Sequence, residues 1–148
     1  MKSIYPRVMK FKAKHPLTVG WRTKAHCRVV EDHINDDEKV VYAFTAQKND
    51  NYFDIITTCV VVLTDKRIII GQKRVLFGYF FYSITPDMYN DFQIKMGLIW
   101  GKVYIDTVKE LVILSNISKS ALVEIETEIS TLMMGEKKKY GINKRIRE

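Results

Sequence analysis

His26, Cys27 and His33 lie close together with Asp37 just beyond, the one cluster of metal-ligand residue types in the chain. His26 and His33 share a helical face at i, i+7, but no CxxC or HExxH spacing accompanies them. Cys27 is expected to pack in an apolar stripe instead, and no metal or cofactor is expected. The third histidine, His15, stands apart. Carboxylates pair as Asp36-Asp37, in turn chemistry, and as Glu124 and Glu128, an i, i+4 pair on an outer helix face. Neither is placed for general acid–base work. No glycine-rich phosphate loop and no GxSxG elbow is present, so catalysis is not expected. Asp65-Lys66-Arg67 reads as a tight turn in which the aspartate bonds nearby backbone and the bases point to water. The run Lys137-Lys138-Lys139-Tyr140, with Lys144, Arg145 and Arg147, offers nucleic acid a salt-sensitive, sequence-independent contact at best. A solubilising loose tail is the simpler reading.

The charge distribution qualifies the net charge of +7. Residues 1–30 carry eight Lys or Arg and no acid, and residues 136–148 carry six against two acids. Residues 31–135 hold ten bases and fifteen acids. A mildly acidic body thus has two basic ends. These either fold back on the body or serve as arms for phosphate-bearing partners, nucleic acid or anionic lipid.

The 148 residues suit one domain, and 47% hydrophobic with 28% charged residues argues against disorder. A chain of this length buries roughly 68–70% of its unfolded surface and needs no disulfide or metal. No run reaches about 18 consecutive apolar residues, so a spanning helix is not expected. The N-terminus lacks the apolar core of a secretory signal. Two cysteines, Cys27 and Cys59, are too few for a disulfide scaffold. A reducing cytoplasm is the expected compartment, with work at the membrane surface as an alternative.

Residues 1–20 show no clean period, with Pro6 and Pro16 as breakers, and read as an arm, extended or packed on the body. Residues 22–35 read as a helix carrying Cys27, Val30 and Ile34, with Thr23 as its cap. From Glu38 the period becomes two. Strands are expected over Val40–Phe44, Tyr52–Leu63, Ile68–Ile70, Val75–Ile84, Asn90–Lys95, Leu98–Ile105 and Glu110–Leu114. Turns at Lys48–Asn51, Thr64–Arg67, Gly71–Arg74, Pro86-Asp87, Met96-Gly97 and Asp106-Thr107 separate them. Leu122, Ile125, Ile129, Leu132 and Met133 then mark an amphipathic helix, with Ser118 as N-cap and Gly135 as C′ glycine. Seven short strands and one amphipathic helix describe a small barrel or sandwich that the helix must cover.

Five local features, in order, carry a resemblance. They are Asp36-Asp37-Glu38-Lys39-Val40, Leu63-Thr64-Asp65-Lys66-Arg67-Ile68-Ile69-Ile70, Gly97-Leu98-Ile99-Trp100-Gly101, Ile105-Asp106-Thr107 and Leu114-Ser115-Asn116-Ile117. Residues 36–134 resemble a bacterial pleckstrin-homology (PH) domain of the YokE-like and related groups. The resemblance implies a mainly β fold with helices. Its core would be a PH-like barrel of seven antiparallel strands in two near-orthogonal sheets, capped by the C-terminal helix, with an added N-terminal helix. Residues 1–35 would be a basic arm plus helix, and 135–148 a basic tail. The family is generally non-catalytic and hosts lipid binding, peptide binding and oligomerisation.

The PH resemblance places a candidate anion site at the barrel mouth, on Lys48, Lys73 and Arg74. It departs from the basic cradle of phosphoinositide-binding members, since Asn49, Asp50, Asn51 and Asp54 stand beside Lys48. The aromatic run Phe77, Tyr79, Phe80, Phe81 and Tyr82 is a candidate interface. Alternation puts Phe77, Tyr79 and Phe81 on one face and Phe80 and Tyr82 on the other, so both faces are apolar. The N-terminal arm, the first helix or another subunit must cover the outer one. The expected function is a non-catalytic adaptor that docks a protein partner or self-associates. Anionic membrane binding comes second, and nucleic acid last.

Overall fold

The computed structural model describes residues 4–48 and 57–147, with side chains through Gly135. Helices α1 (Ile4–Lys14) and α2 (Thr23–His33) precede seven strands. These are β1 (Val40–Gln47), β2 (Thr58–Thr64), β3 (Ile68–Lys73), β4 (Tyr79–Ile84), β5 (Tyr89–Met96), β6 (Trp100–Thr107) and β7 (Leu111–Ser118). Helix α3 (Lys119–Arg147) ends the chain. The expected residues Asn49–Asn51 of the first turn and Tyr52–Ile56 of the second strand lie outside the described residues.

The strands pair in the order β4-β3-β2-β1-β7-β6-β5. Two antiparallel meanders, β1–β4 and β5–β7, thus form a curled half-barrel whose wings pair, among the described residues, at Gln47↔Ser115. The main core fills the space between the wings. Phe44, Leu63, Ile70 and Ile84 come from one wing, Ile105 and Leu114 from the other, and Leu122, Ile125, Ile129 and Met133 from α3. Gly101 permits the close approach of α3, because a Cβ there would collide with Leu122 Cδ1.

The first wing is buried on its other face as well. Ile4 and Val8 of α1 and Cys27, Val30 and Ile34 pack there on Ala43, Val60, Val62 and Ile69. This explains the unbroken apolar run of β2, every residue of which is buried. Gly71 lets α2 lie close, since a Cβ would strike Val30 Cγ2.

Three expectations are corrected. Residues 4–14 are a docked helix, not an extended arm. Buried Ile4, Val8 and Phe11 recur at i, i+4, i+7, and Pro6 falls in the first turn, where its missing N–H costs nothing. Helix α3 runs through Gly135, because a helical glycine costs only about 1 kcal/mol and strong helix formers follow it. Strand β4 begins at Tyr79 rather than Val75, because Arg74–Gly78 form a turn closed by Arg74 N–H to Gly78 O, 3.1 Å, with Gly78 at φ +73°.

The turn at Asp65-Lys66-Arg67 is structural, with one change. Asp65 accepts the Lys39 N–H at 3.0 Å, and Lys66 pairs with Asp37. Arg67 turns inward. Its Nη2 meets Glu38 Oε1 at 2.7 Å and its Nε meets Oε2 at 3.1 Å, while Nη1 reaches Ser83 Oγ at 3.1 Å. Burial opposes ionisation of Glu38. Hydrogen bonds from Arg67, Thr64 and Asn35 outweigh it and hold the carboxyl below the usual range. Removing one partner of a buried pair strands the other charge, so Arg67→Met should cost roughly 3 kcal/mol in urea melts at pH 7. An unchanged midpoint would contradict this account of the turn.

Candidate functional site

The expected anion site is distributed over two faces of the first wing. Lys48 follows β1 on the inner side, and its Nζ lies 3.2 Å from the Phe80 ring centroid. Burial is the main cause that lowers the pKa of this ammonium. Cys59 and Glu110 favour its charged form, and the neighbouring Arg74 opposes it. Lys73, paired with Tyr79, sits one residue out of phase with Gln72 and Phe80 and is on the outer face. The fold therefore brings Lys48 and Arg74 together and turns Lys73 away.

The aromatic run divides the same way. Phe80 and Tyr82 face the main core, stacked 6.3 Å apart. Tyr79 and Phe81 face α2, where the His33 ring stacks on Phe81 at 4.7 Å. Its Nε2 meets the Tyr79 hydroxyl at 2.9 Å. Helix α2, the helix expected over residues 22–35, supplies the cover that the doubly apolar strand required. Phe77 lies outside the strand. With Val75 and Leu76 it forms an apolar apex on the β3–β4 hairpin, the three being 51%, 83% and 86% exposed in the order Val75, Leu76, Phe77.

Helix α2 holds this hairpin from behind. The Lys73 N–H donates to His26 Nδ1 at 2.8 Å, and Arg22 reaches the Lys73 carbonyl at 3.5 Å. His26 is almost fully buried, and both nitrogens of His33 are engaged, Nδ1 with the Val29 carbonyl at 2.6 Å. Among the described residues, no three candidate ligands converge on a metal position.

Sequence reasoning missed a second concave surface. Arg7, Lys10 and Lys14, spaced i, i+3, i+7 along α1, line a cleft of about 290 Å³ against Val41, Tyr42 and Ala43 of β1 and Glu124 of α3. The helical spacing was the available signal. It is readable only once residues 4–14 are seen as a helix.

A family model described as a bacterial PH domain matches residues 34–131. The chain belongs to this bacterial PH domain family. Its fold is similar to that of a pleckstrin homology domain from Shewanella amazonensis SB2B, with a TM-score of 0.54 at 16% identity, over 75% of this chain and 96% of that one. It is also similar to a DUF1696 family protein with a pleckstrin-homology domain from Shewanella loihica PV-4. That TM-score is 0.51 at 14% identity, over 76% of this chain and 94% of that one. No curated protein matches the chain. The bacterial PH match begins after α2, so α1 and α2 lie outside it.

Burial lowers the His26 pKa to about 4; a backbone hydrogen bond at Trp21 opposes the shift and the Arg22 charge adds to it. The folded-state value lies below the ordinary one of 6.5, so the unfolded chain binds more protons between the two. Stability therefore falls as pH drops through this window. The loss from pH 7 to pH 5 should be about 2 kcal/mol in urea melts, above the range where carboxylates titrate. His26→Gln should flatten that dependence. An equally steep profile in the variant would contradict the assignment.

Proposed function

We propose that this bacterial PH domain is a non-catalytic binding module that docks a protein partner or a second copy of itself. The observation that carries this reading is the Val75–Phe77 apex, three consecutive apolar side chains displayed to solvent on a braced hairpin. A contiguous apolar patch exposed in this way marks an interaction surface. Helix α2 fixes the hairpin root through His26, His33 and Arg22, which lowers the ordering cost of docking. The family is generally non-catalytic, which agrees with the absence of a recognisable catalytic motif. The two free, buried cysteines suit a reducing compartment.

The second reading is a peripheral membrane module. Lys73 and Arg74 are exposed at the base of the apolar apex, an arrangement that suits an anionic bilayer surface. Among the described residues, no helix is long and apolar enough to cross a membrane. Among the described residues no specific contact surface favours nucleic-acid binding through the basic ends, and that reading ranks last.

Sedimentation velocity across a concentration series tests the docking reading. The wild-type chain should associate, and Leu76→Glu with Phe77→Glu should weaken association at least tenfold with an unchanged melting temperature. A wild-type chain that stays monomeric, captures no protein through the apex and binds anionic vesicles in low salt would favour the membrane reading instead.

A further inference from the structure

Strand β5 carries an inference that goes beyond the docking reading and uses none of the apex. Among the described residues it is an edge, paired with β6 on one side and with no strand on the other. The hairpin to β6 closes with the Gly97 N–H donating to the Trp100 carbonyl at 2.9 Å. From there the register is regular from Met96↔Gly101 to Asp91↔Asp106. Hydrogen-bonded and non-hydrogen-bonded pairs alternate along an antiparallel ladder. Asp91, Gln93 and Lys95 therefore bond β6, and the backbone groups of Phe92 and Ile94 point to the free edge. The Phe92 N–H agrees with this direction, since it turns to the carboxylate of its own neighbour, Asp91 Oδ1, at 2.8 Å.

The outer face of this hairpin carries its charges in like-signed couples. Asp91 stands directly across from Asp106, and Lys95 directly across from Lys102. Like charges in register weaken a ladder. Gln93 and Tyr104 lie between the two couples, with Lys95 Nζ 5.1 Å from the Tyr104 ring centroid. Phe92 and Ile94 take the opposite face and pack against the main core. A lysine on an exposed edge ordinarily deters strand addition. A second copy of the same edge removes that deterrent. Set antiparallel about a two-fold axis at Gln93, two β5 edges bring Asp91 of each copy opposite Lys95 of the other. Phe92 and Ile94 then form the hydrogen-bonded pairs, each N–H donating to the other residue's carbonyl, and Asp91 is released to meet the lysine. The row across the joined sheet reads Asp106, Asp91, then Lys95 and Lys102 of the second copy, so each couple faces its opposite. Registers centred on Phe92 or Ile94 set Asp91 against Gln93 or Gly97 and lose this match.

We propose that two copies of this chain pair antiparallel through their β5 edges, centred on Gln93, and join two half-barrels into one continuous sheet. The contact is isologous and closes at two copies. The charge pattern selects the same chain over an arbitrary extended strand.

Sedimentation velocity of the full chain tests this in the Leu76→Glu, Phe77→Glu background, where any apex contact is lost. A reversible dimer is expected there. Asp91→Lys and Lys95→Asp should each weaken it at least tenfold, because two-fold symmetry makes each substitution oppose like charges twice. The double exchange, Asp91→Lys with Lys95→Asp, should restore it to within threefold. Gln93→Cys should form an intermolecular disulfide under mild oxidation, since a non-hydrogen-bonded pair sets its Cα atoms roughly 4.5 Å apart. Lys109→Cys, exposed on the β6–β7 turn, should not, and the native Cys27 and Cys59 are buried. Asp91, Gln93 and Lys95 are exposed, so dilute variants should melt with their parent, which circular dichroism checks. A wild-type dimer that vanishes in the apex background overturns the β5 pairing and leaves the docking reading standing. A dimer that persists there and yields to Asp91→Lys supports the pairing whatever the apex binds. A chain monomeric up to about 1 mM overturns it, as does a double exchange that restores nothing.

Discussion

Among the described residues the two wings of the sheet share one residue pair, Gln47↔Ser115, and the remaining structure answers that constraint. Residues 15–19 reinforce this junction from the side of β6 and β7. The Val19 N–H donates to the Asn116 carbonyl at 3.0 Å. Thr18 Oγ1 accepts the Ser118 N–H at 3.0 Å, and the Leu17 carbonyl accepts the Trp100 indole N–H at 2.7 Å. Asn116, at φ +55°, donates its side-chain amide to Gln47 Oε1 at 2.6 Å and locks the pair itself. His15 then ties the strap to the start of α3 through Ser120 Oγ at 2.7 Å and Glu124.

A basic segment is in this way a structural part of the barrel. Helix α1 contributes Phe11 to the main core and Ile4 and Val8 to the second cluster, so it bridges the two apolar regions. Helix α2 extends the second cluster along β3 to the root of the β3–β4 hairpin. The hairpin can therefore display Val75, Leu76 and Phe77 without losing its own conformation.

Much of the architecture was legible because the strands obey simple rules. β-branched runs and turn residues located the described strands to within a few residues, and the ordered local motifs pointed to the PH fold. The doubly apolar β4 correctly demanded a cover. Other features depended on distant partners. Residues 4–14 looked irregular because their few apolar positions are interspersed with lysines, with Pro6 inside the segment and Pro16 just after it, so the helix shows only with its docking surface. Arg67 looked solvated because Glu38 is far from it in sequence. Lys73 ends β3 and Lys48 follows β1, so alternation within either strand could not say whether they share a face. The Arg7, Lys10 and Lys14 spacing becomes one face only when residues 4–14 are helical, and its meeting with Tyr42 of β1 depends on packing distant in sequence.

The most direct test of the account is equilibrium unfolding of the chain shortened to residues 35–148, which keeps the family-matched region almost whole. The seam account predicts that the shortened chain loses cooperative unfolding and near-ultraviolet dichroism while the full chain unfolds in one transition. A shortened chain that unfolds cooperatively, within about 1 kcal/mol of the full chain, would contradict it, since a difference that small is the size of a single surface contact rather than a missing wall of the core.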